Sequence, residues 1–101
     1  MTLKVEELDM FLRLSGKETL REFFRGCHIG DTAALGIMTT HQVKDWMVEE
    51  IFNRLGVENA FRFICVGSLK EFFNRFAIIG GKAHIYKKSE EIIEELINGS
   101  Y

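Results

Sequence analysis

Arg25-Gly-Cys-His-Ile-Gly-Asp-Thr-Ala-Ala-Leu-Gly-Ile-Met38 is the stretch on which the fold turns. It is rich in Gly and Ala, and its apolar residues repeat neither every second position nor every three to four. A buried strand here would be the middle of a parallel sheet. A loop or helix here leaves the chain helix-rich. Just before it, Ser15-Gly-Lys-Glu18 forms a capping box, which predicts a short helix over 17–25 ended by Gly26. Just after it, Thr39 or Thr40 caps the clearest helix in the chain, His41–Leu55, closed by Gly56. The apolar face of that helix is Val43, Met47, Ile51 and Leu55, widened by Trp46, Val48 and Phe52.

Farther out the pattern branches. Residues 2–14 fit a helix loosely, and also fit two short strands, 2–8 and 10–14, stopped by Ser15-Gly16. Ala60–Val66 reads as a buried strand, although helical spacing also runs on through Leu69, Phe72 and Phe76. Gly67 and a second capping box, Ser68-Leu-Lys-Glu71, favour a strand followed by a helix from Leu69 to about Phe76. Ala77–Tyr86 is a hairpin around Gly80-Gly81 or a loop leading into one strand, and Ser89 caps an amphipathic helix, Glu90–Ile97. Thr19-Leu-Arg-Glu-Phe-Phe24 returns as Ser68-Leu-Lys-Glu-Phe-Phe73, a candidate internal pseudo-repeat. The expected fold is mixed α/β, one domain over 1–101. Three to four helices pack on a small sheet built from Thr2–Leu14, Ala60–Val66 and Lys82–Tyr86.

Composition narrows the function classes. The 101 residues are 47% hydrophobic and 28% charged, a globular balance. A chain this long buries roughly two-thirds of its extended surface, enough for one core. The net charge of −2 argues against an electrostatic nucleic-acid binder. No apolar run is long enough to span a bilayer, so no membrane partner is expected. Lys4, Glu6, Glu7 and Asp9 rule out a signal-peptide reading of the first ten residues, and Cys27 and Cys65 are then reduced thiols of a cytoplasmic protein.

Asp31-Thr-Ala-Ala-Leu-Gly-Ile-Met38 resembles the Asp-Ser/Thr segment of STAS domains, the sulfate transporter and anti-sigma-factor antagonist family. Leu12-Arg-Leu-Ser-Gly16, Phe61–Leu69 and His84–Glu91 resemble further pieces of that family in the same order. The resemblance implies a non-enzymatic regulatory module with Thr32 as phosphoacceptor beside Asp31, at the start of a helix. Phosphate there would block docking on a kinase or anti-sigma factor by like-charge repulsion. Read without the family, Asp31 and Thr32 are simply helix-capping residues. The family places a full apolar strand before this motif. Here only Gly26-Cys-His-Ile-Gly30 separates Arg25 from Asp31, too short and polar for one.

Other chemistries have less behind them. Ala33–Ile37 with Thr40, Val43 and Trp46 echoes a helix-turn-helix, yet its second helix would show Asp45, Glu49 and Glu50 to phosphates. An enzyme or metal protein would draw on Cys27, His28 and His41, with Cys65 and His84 in reserve, and no pair of these has ligand or catalytic spacing. No cofactor and no metal are expected. The adjacent pairs Phe23-Phe24 and Phe72-Phe73 point about 100° apart on a helix, so one ring of each is expected at an interface with a partner or in a homodimer. A helix buried on two sides is the other reading. The function expected from the sequence is therefore regulation by protein–protein binding, with a DNA-binding regulator and a small enzyme or metal protein as rivals.

Overall fold

The stretch from Arg25 to Met38 is a turn and a helix. The computed structural model describes residues 1–16 and 18–86. Within them α2 (Leu20–Gly26) ends at Cys27, and α3 (Asp31–Thr40) starts after a tight turn. That turn is a Schellman motif. Ile29 N–H donates to Phe24 O at 2.9 Å and His28 N–H to Arg25 O at 3.0 Å, with His28 at φ 60° where Gly is the usual residue. Ile29 and Phe24 are both buried, supplying the apolar contact of that motif. The buried parallel strand implied by the STAS resemblance is replaced here by the turn, because a Gly-flanked linker of this length closes a helix pair more readily than it crosses a sheet.

The other elements, in chain order, are β1 (Thr2–Leu3), α1 (Val5–Phe11), a π-helical turn (Leu12–Gly16), α4 (Asp45–Leu55), α5 (Val57–Phe63), β2 (Ile64–Cys65), α6 (Leu69–Arg75), β3 (Phe76–Ile79) and β4 (Lys82–Ile85). The fold is mixed α/β, as the pattern predicts. The single sheet is corrected to two antiparallel pairs, β1–β2 and β3–β4. Most of Thr2–Leu14 is helical, and Ala60–Phe63 belongs to a helix, leaving only two residues of each segment to pair. The helix expected over Glu90–Ile97 lies outside the described residues.

Capping explains the boundaries. Two Ser/Thr-x-x-Glu patterns follow one another, Ser15–Glu18 and Thr19–Glu22, and the second supplies the cap: Glu22 N–H donates to Thr19 Oγ1 and Thr19 Oγ1–H to Glu22 Oε1. The first is dismantled because Ser15 Oγ donates to Phe11 O and Glu18 pairs with Arg54. Thr39 and Thr40 do not cap α4. Each bonds back to the carbonyl four residues earlier in α3, and His41 then ends α3 at φ 63°. Ser68 caps α6 as expected, accepting Glu71 N–H at 3.1 Å. The repeated Thr19–Phe24 and Ser68–Phe73 motifs thus make matching capped helices, while a helix follows the first and a hairpin the second. Gly56 separates α4 from α5 at φ 85°, ψ 159°, a region open essentially to Gly alone. The hairpin turn Gly80-Gly81 has both residues at positive φ, as a type I′ turn requires.

One aromatic cluster fills the centre. Phe72 stacks on Phe52 and Phe76 at 5.6 and 4.8 Å and meets Phe61 edge-on at 5.1 Å. Among the described residues no buried side chain is polar or charged. The sequence-adjacent β1 and distant loops close the other end: Leu3 N–H donates to His41 O, Lys4 N–H to Phe63 O, and Val43 N–H to Met1 O. β1 is therefore held on both sides, by β2 and by the loop after α3.

Candidate functional site

The most exposed large apolar side chain among the described residues, Leu14, lies in the π-helical turn. An i→i+5 turn holds one more residue than an α turn, so residues after it rotate away from the face that α1 buries. Leu12 stays inside, 4% exposed, while Leu14 is turned out to 81%. Met10, one turn earlier, is 64% exposed. Met10 and Leu14 line a groove of about 360 Å³ together with Glu7, Phe11, Ser15, Arg62 and Phe63. Its floor is the ring pair Phe11–Phe63, 5.1 Å between centroids. The Arg62 guanidinium lies 5.7 and 5.4 Å from these two rings, a cation–π contact with both, and donates to Asn59 Oδ1.

A second, more polar groove of about 300 Å³ lies on the other flank of the π-helical turn and shares Phe11 and Ser15. Here Arg54 donates to Glu18 Oε1 at 2.9 Å and lies 5.6 Å over the Phe23 ring. The same guanidinium fills the space beside Gly26, where a Cβ would come within 2.4 Å of Arg54 Cζ. Gly26 thus serves packing rather than helix termination. A cleft between α3 and α4, also about 360 Å³, is lined by Ala33, Gly36, Ile37, Val43 and Met47, with Lys44 at its side.

Of the interface residues expected from the sequence, Phe23, Phe24 and Phe72 are interior, at most 1% exposed. Phe23 and Phe24 share the one buried stripe of α2 with Leu20, at i, i+3 and i+4, while Arg21, Glu22 and Arg25 are exposed, so the Phe pair has no free ring. Phe73 alone reaches the surface, at 47%. Asp31 and Thr32 open α3 and are both exposed. Arg25 grips Asp31 with two bonds of 3.1 Å, and this hydrogen bond first of all holds the Asp31 carboxyl below its ordinary range. Met10, Leu14 and Arg62 were not foreseen. Their one signal is the run Phe11-Leu-Arg-Leu14, which carries more apolar residues than a single helix face can bury.

Burial pushes the Cys27 thiol up to about 12, which keeps it protonated at neutral pH. His28 and His41 hold left-handed helix-end positions. Among the described residues no three of His, Cys, Asp and Glu stand close enough to share a metal ion. In the helix-turn-helix reading α4 would enter DNA, but its Glu49 accepts Ile85 N–H at 2.7 Å and its Asn53 brackets Ala83, donating to its O and accepting its N–H. That face is occupied by the hairpin. Among the described residues no helix is long and apolar enough to cross a membrane. Family models, curated proteins and solved structures offer no match to the chain.

Proposed function

We propose that the chain is a non-enzymatic binding protein whose partner is another protein, docked along the groove between the π-helical turn and the end of α5. The observation that carries this is the pair Met10 and Leu14, held in water over a Phe11–Phe63 floor. Each such side chain regains roughly 1.5–3 kcal/mol when buried, and nothing among the described residues covers them. Arg62 at the edge, its guanidinium within cation–π distance of both rings, suits a partner with apolar anchors one helical turn apart and an acidic group beside them. A photo-crosslinking residue placed at Leu14 in cells should capture a distinct protein, and the same residue at Glu58 should not. Leu14→Asp should abolish capture by a crosslinker at Met10 without lowering the melting temperature. Equal capture from both sites, or purified protein retained on DNA in a salt-dependent way, would replace this reading.

A finer reading adds a phosphate at Thr32. What supports it is that Thr32 is exposed on the first turn of α3, beside Asp31 and its Arg25 clamp. A phosphoryl group there adds about −1.5 to −2 charge. It would compete with Asp31 for Arg25 and meet the free amides of the helix start. Thr32→Glu should leave the fold intact and weaken capture at Leu14. Full capture by that variant would remove the switch while leaving the docking groove in place.

A further inference from the structure

The β3–β4 hairpin has one guarded edge and one open edge. Its register pairs Ile78 with Ala83 and Phe76 with Ile85. In an antiparallel ladder every second pair turns its N–H and C=O groups away from the partner strand. On β4 the outward residues are Ala83 and Ile85, and α4 takes them. Asn53 accepts Ala83 N–H at 2.7 Å and donates to Ala83 O at 3.2 Å, the two bonds a neighbouring strand would make, and Glu49 accepts Ile85 N–H at 2.7 Å. On β3 the outward residues are therefore Phe76 and Ile78. Phe76 N–H donates to Phe72 O at the end of α6. Ile78 N–H and C=O have no partner among the described residues. The strand also lacks the usual guards of an edge: Phe76-Ala-Ile-Ile79 has no charge and no Pro, whereas β4 carries Lys82.

We propose that this edge pairs with the same edge of a second copy of the chain, antiparallel about a two-fold axis at Ile78. The edge is self-complementary in that register, as an isologous contact requires. Ile78 exchanges two hydrogen bonds with Ile78 of the second copy. Ala77 comes opposite Ile79 of the second copy on the solvent side, a small residue against a large one that is 66% exposed in the single chain. No charge meets a like charge, because Lys82 and His84 lie one strand farther out. Gly80 of the second copy comes opposite Phe76, where α6 ends, and it brings no side chain to strike that helix. The product is a four-stranded sheet in the order β4–β3–β3–β4. So short a contact makes a weak dimer governed by concentration. It shares no residue with the groove of Met10 and Leu14.

Amide exchange in the full chain, read by NMR, tests the pairing. The Ile78 amide should slow by about threefold or more when the protein is concentrated about a hundredfold, while those of Ala83 and Ile85 stay constant. Ala77→Lys with Ile79→Lys sets two like-charge pairs across the axis and should remove that dependence. Ala77→Glu with Ile79→Lys sets two opposite-charge pairs at the same positions and should restore it. Melting curves report the fold of each variant separately, and the wild type decides even where a variant does not fold. Ile78 exchange that ignores concentration, whether fast or slow, overturns the proposal. So does a dimer whose Ile78 amide stays open, and so do two folded double variants that behave alike.

Discussion

Cys27 and Cys65 carry the same thiol in opposite settings. Cys65 is exposed on β2, and Cys27 is buried behind α2. Burial chiefly raises the Cys27 thiol to about 12, against a lesser lowering by Arg54. The folded state therefore keeps a proton that the unfolded chain releases near 9. Stability linked to Cys27 is complete below that value and is lost as pH climbs toward about 12. Alkylation near neutral pH should modify Cys65 alone, with Cys27 reacting only in denaturant. Melting temperatures taken on the alkaline side should fall more steeply for the wild type than for Cys27→Ala. Asp31 works in the opposite direction: Arg25 lowers its carboxyl, so its contribution is present at neutral pH and fades on acidification.

Two glycines of similar appearance should respond oppositely at the scale of elements. Gly36 lies mid-way along α3 with open space where a Cβ would go, so Gly36→Ala should stabilise by about 0.5–1 kcal/mol. Gly56 has the same open space but sits at φ 85°, so Gly56→Ala should destabilise and disturb the α4–α5 junction. Urea midpoints of the two variants, measured side by side, check both signs. Elements with a chemical punctuation mark were legible: Ser68 before α6, Gly56 after α4, and Gly80-Gly81 between β3 and β4. α3 was not, because its buried residues are Ala34 and Ile37 and its other positions are small or polar, which leaves almost no apolar stripe. The π-helical turn was equally hidden, since no residue type marks an i→i+5 bond. With it went Leu14, whose exposure depends on that turn, whereas Met10 lies in α1 off the face that buries Val5 and Leu8. Asp31 and Thr32 fall in the first turn of α3 but do not cap it: the N-cap is Gly30, with no side-chain cap bond, and the Asp31 carboxylate is taken by Arg25.

At the scale of the whole molecule, the division of aromatic residues separates stability from binding. Phe72 touches Phe52, Phe61, Phe73 and Phe76, so Phe72→Ala should cost about 3–5 kcal/mol, a large part of a small domain's stability. A lower urea midpoint at unchanged m would show it. Adjacent Phe residues could not be sorted into inner and outer rings from sequence, because that depends on where the core meets each helix: both rings of α2 fall within its buried Leu20–Phe23–Phe24 stripe, while α6 buries Phe72 and leaves Phe73 outside. The threading of β1 between residues 41–43 and 64–65 has a temporal consequence. During synthesis Thr2 and Leu3 leave the ribosome ahead of both flanking segments, and at about 5–20 residues per second they wait some seconds for the second one. Until then Leu3 has no place to be buried. Closure of this clasp is thus a late event, and a nascent chain stalled before residue 64 should offer its leading residues to a chaperone.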